Sequence, residues 1–479
     1  MNPVGRLLLA LVRQGGTSSK PQRDKVLRFL ASHMRIHNLL AAAAKSRLGR
    51  AMVRRACREA LTRYKGADLR EIFRLLKDFR NFSESTEINA LSEIYERSLN
   101  PRWVGWISDL ARGLEQETKE KLLMRVVYNI GLNGLNRKID RLRYEGVENR
   151  VPNLSTVFLG TTSRCNLDCR DCESRFERDD GAASCDSLDY IIDQAKRLRV
   201  FHVVLIGKGE PLFDEAHKKT IFRLVAKHWD LNFLLFTNGT TLTEEDVVGM
   251  GYLDNLFTLI SVDGLKRTND ERRGNGVFAR ICNTMKMMKD RGLFFGFSST
   301  VFKENYREIL SQEFLYRMKD LGCKTGIYLM YLPLSGQSAR HMLLSESEVR
   351  EYEDLYKKAQ EFAPIPIVDP EIFERVHGCR ARRGAIVYID ASTGKVMPCV
   401  KTPFVPAWCN ILTHRHRDRL REILGMDFYV EYRDSYTLCS QCSLNLEKEI
   451  DMYVSQPGLT PEDREKAENY LAKISASRT

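Results

Sequence analysis

The sequence predicts an α/β protein: a partial (β/α)6 TIM-like barrel, preceded by an all-helical N-terminal domain and followed by a small cysteine-bearing domain. Three observations carry this. Between residues 151 and 335, short apolar runs alternate with amphipathic stretches of helical period, as a parallel sheet with crossover helices requires. Residues 1–150 show apolar side chains at three- and four-residue steps and no β-branched alternation. Beyond residue 370, four cysteines gather around a strand–turn–strand pattern. A chain of 479 residues has room for two or three domains, and 43% hydrophobic with 29% charged residues is ordinary for a globular protein.

In chain order, helices are expected over 69–79, 87–95, 103–114 and 119–143, broken at Asn100-Pro101 and Asn133-Gly134. The barrel begins near residue 151. Its strands are expected over 157–159, 202–206, 232–236, 256–260, 294–300 and 326–332, with helices over 187–198, 215–228, 244–249, 277–290 and 305–321 between them. Chemistry in such a sheet sits at the C-terminal ends of the strands. A connector covers 336–370, with one helix over 346–362 and a Pro364, Pro366, Pro370 segment. The cysteine-bearing domain is expected over 371–448 and a polar tail over 449–479.

The first strand runs into Cys165-Asn166-Leu167-Asp168-Cys169-Arg170-Asp171-Cys172. Three thiolates on one short loop can wrap a corner of an iron–sulfur cubane and ligate three of its irons. A structural zinc site would need a fourth ligand nearby, and none follows within the loop. The second strand ends in Gly207-Lys208-Gly209-Glu210-Pro211, the third in Thr237-Asn238-Gly239, and the fourth in Ser261-Val262-Asp263-Gly264, with Arg273-Gly274 beyond. A dinucleotide-binding glycine loop would need a third glycine where this chain has proline.

These motifs, in this order and each at a strand end, resemble those of the radical S-adenosylmethionine (SAM) enzymes. The resemblance covers residues 155–445. It implies that Cys165, Cys169 and Cys172 hold a [4Fe–4S] cluster whose open iron chelates SAM. It also implies that Gly209, Glu210 and Pro211 hold the methionine amino group, and that Thr237, Asn238, Ser261, Asp263 and Arg273 complete the SAM site. Reductive cleavage of SAM then gives a 5′-deoxyadenosyl radical that takes hydrogen from an unactivated carbon. An electron donor such as flavodoxin or ferredoxin is implied as a partner. Two positions depart from the family pattern: Asp171 stands where an aromatic residue often meets the adenine, and Lys208 where glycine is usual.

Cys379, Cys399 and the pair Cys439 and Cys442 form the late group. Separated thiols closed by a Cys-x-x-Cys can build a four-thiolate cage, for a cluster or for zinc. The Gly394 to Cys399 stretch and the terminal pair resemble the auxiliary-cluster domain of the SPASM and Twitch branches of that family, which implies one auxiliary [4Fe–4S] cluster. Cys409 is an ambiguous fifth thiol. Cys282 and Cys323 read as small core residues.

The net charge of +12 is uneven: residues 1–65 hold fifteen Lys or Arg against Asp24 and Glu59. The balance there is +13, and the remaining 60 basic and 61 acidic residues sum to −1. A basic amphipathic helix over this segment would suit an anionic membrane surface, and a packed basic face is an equal reading. Nucleic acid is disfavoured because aromatic residues are not interleaved there. Without a convincing signal peptide or membrane span, the expected location is cytoplasmic, with a peripheral membrane association left open. The preferred substrate class is a lipid or lipid-linked molecule, oxidatively modified by dehydrogenation or C–C or C–S bond formation. A ribosomal peptide and an aminocyclitol or nucleoside-like metabolite are the alternatives, and an iron–sulfur sensor is the non-enzymatic one.

Overall fold

The structure is a computed structural model. It describes residues 151–434, apart from 153, 173–180, 332–339, 378, 401 and 403–404, together with Pro461, Arg464, Glu465 and Glu468. The helices expected within 1–150, the basic segment, and Cys439 and Cys442 lie outside the described residues. The chain divides between Asn149 and Arg150, and the described fold is that of the second unit.

Nine strands form one open sheet. They are β1 (Thr156–Gly160), β2 (His202–Ile206), β3 (Asn232–Thr237), β4 (Leu256–Ser261), β5 (Phe295–Val301), β6 (Gly326–Met330), β7 (Ile367–Val368), β8 (Ile386–Asp390) and β9 (Val396–Met397). Their order across the sheet is β7-β6-β5-β4-β3-β2-β1-β8-β9. Every pairing is parallel except β8 with β9. The six expected strands are β1 to β6, in chain order.

Helices link them: α1 (Cys185–Arg197), α2 (Glu215–Lys227), α3 (Glu244–Met250), α4 (Lys266–Arg273) and α5 (Val277–Asp290), then α6 (Tyr306–Ile309) and α7 (Gln312–Asp320). Their apolar stripes fill the core. Leu188, Ile191, Ile192 and Ala195 of α1, for example, are wholly buried with Val157 and Leu159 of β1. Side chains set the helix starts. Ser184 caps α1 by accepting from the Ser187 amide at 3.1 Å, and Thr243 with Asp246 forms a capping box on α3.

Three expectations need correction. The single helix over 305–321 is two, because Ser311 accepts from the Phe314 amide (3.2 Å) and starts a new helix at Gln312. The connector is not outside the sheet. After α8 (Glu346–Phe362), β7 pairs with β6 and leads into α9 (Pro370–His377). The late strand–turn–strand also joins the main sheet: β8 lies parallel to β1 from Thr156↔Ile386 to Gly160↔Asp390. All five β8 residues are buried, as a strand covered on both faces demands. Helices α10 (Arg419–Leu424) and α11 (Asp427–Asp434) come after β9. Among the described residues, no helix is long and apolar enough to cross a membrane.

Candidate active site

The cysteine loop leaves the C-terminal end of β1 and lies against the loops after β2 and β3. Contact with the β2 loop is backbone to backbone: the Gly209 amide donates to the Thr162 carbonyl at 3.1 Å and the Glu210 amide to the Arg164 carbonyl at 2.7 Å. The approach leaves no room for a side chain. A Cβ on Gly209 would lie 1.8 Å from the Arg164 carbonyl oxygen, one residue before Cys165. Gly209→Ala is therefore expected to push the cysteine loop outward. We expect a loss of about 1–3 kcal/mol in stability, from overpacking, and poorer iron retention. A melting curve and an iron assay check this; unchanged values in both would show that the loop tolerates the displacement.

Glu210 ties the β2 loop to β3. Its Oε1 accepts from the Leu212 amide (2.9 Å) and the Thr237 hydroxyl (2.5 Å), and its Oε2 from the Asn238 amide (2.6 Å). Burial pushes the carboxyl above its ordinary value, although these donors and Arg273 pull it down. With one donor among the described residues, Oε2 keeps one acceptor direction for a ligand. Pro211 beside it is buried. Asn238 reaches the cysteine loop itself, its Nδ2 donating to Asn166 Oδ1 at 2.9 Å while Asn166 Nδ2 donates to Thr240 Oγ1 at 2.9 Å.

On the other side, α4 holds the loop. The Arg170 amide, between Cys169 and Cys172, donates to the Arg272 carbonyl at 2.7 Å. Arg272 and Arg273 both turn inward to Asp263, which is 0% exposed. Asp263 Oδ2 accepts from Arg272 Nη1 and from Arg273 Nε (2.7 Å), and Oδ1 from the Thr300 amide (3.0 Å). Burial alone would raise this carboxyl, but the two guanidiniums and the Thr300 amide outweigh it and hold it at about 2. Asp263 thus faces protein donors on both oxygens. Ser261 sits one strand over from Ser298, their hydroxyls 3.3 Å apart.

Cys169 is 8% exposed, and Cys165 and Cys172 are half-buried. Burial pushes the Cys169 thiol up while Arg273 and Arg272 pull it down. Asp171 adopts a left-handed backbone (φ 53°) and stands 3.2 Å from His341 Nε2. The structure therefore brings Cys165, Cys169, Cys172, Gly209, Glu210, Pro211, Thr237, Asn238, Asp263 and Arg273 to one end of the sheet. Asn166 and Arg272 belong with them and were not singled out from sequence. Their signals were adjacency to Cys165 and the doubled arginine before Gly274.

Cys379 follows α9 and Cys399 follows β9. The two meet in one small apolar cluster with Ala381, Ile386, Tyr432 and Phe158 of β1. Cys409 is elsewhere, 0% exposed in the main core beside Tyr429, where burial pushes its thiol up. Cys323 is a core residue 3.9 Å from the Met285 sulfur, and Cys282 is half-buried at the core's edge.

The family profile of the radical SAM superfamily matches residues 159–311, the span from β1 to the end of α6 and just beyond. The antilisterial bacteriocin subtilosin biosynthesis protein AlbA of Bacillus subtilis (strain 168) is 27% identical over 249 residues, 50% of this chain and 54% of that protein. Mycofactocin maturase MftC of Mycobacterium tuberculosis (strain CDC 1551 / Oshkosh) is 35% identical over 119 residues, 24% of this chain and 30% of that protein. The chain thus spans about half the length, or less, of these relatives. Among solved folds, Streptococcus suis SuiB bound to precursor peptide SuiA superposes with a TM-score of 0.50 at 16% identity, over 66% of this chain and 74% of that one. With the cysteine loop, the Gly-Glu-Pro turn and the parallel sheet in place, residues 159–311 carry the radical SAM domain that this profile describes, which implies a [4Fe–4S] cluster and S-adenosylmethionine as cofactors.

Proposed function

We propose that this enzyme oxidatively modifies a peptide substrate, with Cys165, Cys169 and Cys172 holding the [4Fe–4S] cluster. The observation that carries the reading is the loop's fixation at the strand ends by Gly209, Glu210, Asn238 and Arg272. The donor set fits a cubane. Three thiols on one short loop, none of them in a disulfide, are the donors a cubane takes, one thiolate on each of three irons. Burial pushes the Cys169 thiol up, and the guanidiniums of Arg273 and Arg272 offset part of that cost of forming the thiolate that ligation needs.

When bound, the cluster and SAM supply a 5′-deoxyadenosyl radical able to take hydrogen from an unactivated carbon. The chain's own residues position and enclose. Glu210 holds the β2 and β3 loops together and keeps one acceptor direction for the SAM amino group. Thr237, Asn238, Ser261 and Arg273 surround that place with donors and acceptors. The buried walls of β1 to β5 exclude water that would compete for these groups. Cys379 and Cys399, which share one apolar cluster, would join Cys439 and Cys442 around one auxiliary [4Fe–4S] cluster; flavodoxin or ferredoxin would serve as electron donor. A separate helical domain over 1–150 and a tail over 449–479 stand as part of this proposal, whereas β7 and β8 make the connector and the start of the late domain part of the main sheet.

The peptide class is favoured by relatives named for bacteriocin biosynthesis and for maturation. The lipid class, preferred from sequence, rests on the +13 balance of residues 1–65. One experiment separates them. Anaerobically reconstituted enzyme with SAM and a reductant should form 5′-deoxyadenosine, and a cognate precursor peptide should change mass. Should peptides stay unmodified while the protein sediments with anionic vesicles at low salt, and loses this on deletion of residues 1–65, the lipid reading takes over.

A further inference from the structure

The cysteine loop has a second set of holds, on the side of β5 and β6. Strand β5 ends at Val301, and the turn after it is fixed from within. The Phe302 amide donates to Asn305 Oδ1 at 2.8 Å, while Asn305 Nδ2 donates to the carbonyls of Asp263 (2.9 Å) and Thr300 (2.8 Å). Past β6, a short 3₁₀ helix over Arg340–Met342 is tied to the same place. Met342 is fully buried with Phe302 and Tyr331, and its carbonyl accepts from the Lys303 amide at 2.9 Å. Two exposed side chains therefore start from fixed, neighbouring bases: Glu304 on the first turn and His341 on the second.

Both meet the two residues that lie between Cys169 and Cys172. Glu304 Oε2 accepts from Arg170 Nη2 at 2.8 Å, and His341 Nε2 stands 3.2 Å from Asp171 Oδ2. Arg170 Nε stands 3.6 Å from that same oxygen, so the four side chains form one run across the loop. An N–H at Nε2 serves in the neutral and the charged imidazole alike. Asp171 is where such a hold matters, because its backbone is left-handed (φ 53°). A residue with a Cβ enters that region at a cost and persists there when its surroundings hold it. Its dihedrals also set the direction in which the chain enters Cys172.

We propose that Glu304 and His341 are positioning residues: they clasp Arg170 and Asp171, keep this side of the loop shut, and so set how fast iron leaves the cluster. This role requires Cys165, Cys169 and Cys172 to hold that cluster, the reading proposed for the enzyme. Arg170 is 47%, Glu304 44% and His341 61% exposed, so each contact is weak and open to screening by salt. Weak outer contacts on firmly fixed bases suit a local opening that leaves the sheet intact. The backbone holds at Gly209, Glu210 and Arg272 stay in place when the clasp opens.

Iron release from anaerobically reconstituted full-length protein to a colorimetric chelator, at low and at high salt, tests the clasp. Glu304→Gln and His341→Ala are each expected to speed release at low salt by about two- to fivefold, the range an exposed pair supplies. High salt should bring wild type toward the rate of Glu304→Gln and change that variant less. His341→Gln keeps a donor for Asp171 and should release iron near the wild-type rate. Arg170→Gln and Glu304→Gln combined should be no faster than Arg170→Gln alone, as a shared contact demands. The metal-free variants should melt like wild type. Unchanged release in Glu304→Gln and His341→Ala overturns the clasp, and so does faster release that comes with a lower melting temperature of the metal-free protein. The triple alanine variant of Cys165, Cys169 and Cys172 separates the two readings. If it holds as much iron as wild type, the cluster assignment fails and the clasp's role falls with it. If Glu304→Gln speeds release of the iron this variant retains, the cluster assignment survives and the clasp alone is refuted.

Discussion

Replacing Cys165, Cys169 and Cys172 together by alanine is expected to reduce 5′-deoxyadenosine formation to background and to remove about half of the bound iron, about four of about eight atoms per chain. The cause is local. The three thiols share one loop, pinned by the Glu210 amide at Arg164, by Asn238 at Asn166 and by the Arg272 carbonyl at the Arg170 amide. No ligand from another element is needed to hold three irons, so nothing elsewhere compensates. Cys169 is a buried member of the main core and Cys165 and Cys172 pack against its edge, so losing three small thiols should lower the melting temperature of metal-free protein only modestly. The complementary variant, Cys399→Ala, should remove the other half of the iron and leave the first half in place. SAM cleavage that survives in the triple variant would refute the assignment of these cysteines. Zinc, rather than iron, lost with Cys399 would confine the error to the second site.

Local signals account for what could be read from sequence. Strand runs such as His202 to Ile206 are continuous and β-branched, and they form strands with the same ends. The site was legible because its residues sit in short motifs at strand ends, where the parallel fold puts chemistry. The features that were not legible are non-local or unpatterned. Helix α4 is Lys-Arg-Thr-Asn-Asp-Glu-Arg-Arg, with no apolar stripe; its buried side chains are Thr268, Asn269, Arg272 and Arg273. It is held by polar contacts to Asp263 that no periodicity announces. The pairing of β8 with β1 joins residues 230 apart, as in the Ser155 hydroxyl to the Ala385 carbonyl. A strand–turn–strand pattern says only that β8 meets β9. Asp263 shows the limit most clearly: the motif suggested a ligand contact, and nothing in the sequence announced that Oδ2 would also take two guanidiniums and Oδ1 the Thr300 amide.

Asp263→Asn should therefore act first on the fold and only through it on SAM. Two guanidiniums converge on this carboxylate in a place with no solvent, Arg272 being 6% and Arg273 9% exposed. Removing its charge leaves both without that counter-ion, and breaking a buried ion pair costs about 3–5 kcal/mol. For a domain of this size that is a fall in melting temperature on the order of 10 °C. Since α4 carries the carbonyl that holds Arg170, iron retention should drop as well. The pH dependence has a definite sign. The folded carboxyl, held at about 2, lies below its ordinary value near 3.8, so its contribution to stability is fully present above that ordinary value and lost as the pH falls toward 2. By that linkage the carboxylate contributes roughly 2–3 kcal/mol at neutral pH. The gap in stability between wild type and Asp263→Asn should be widest above about pH 4 and narrow below it, which denaturant titrations across that range measure. Were Asp263 mainly a ribose ligand, the variant would melt like wild type and differ only in its SAM dissociation constant.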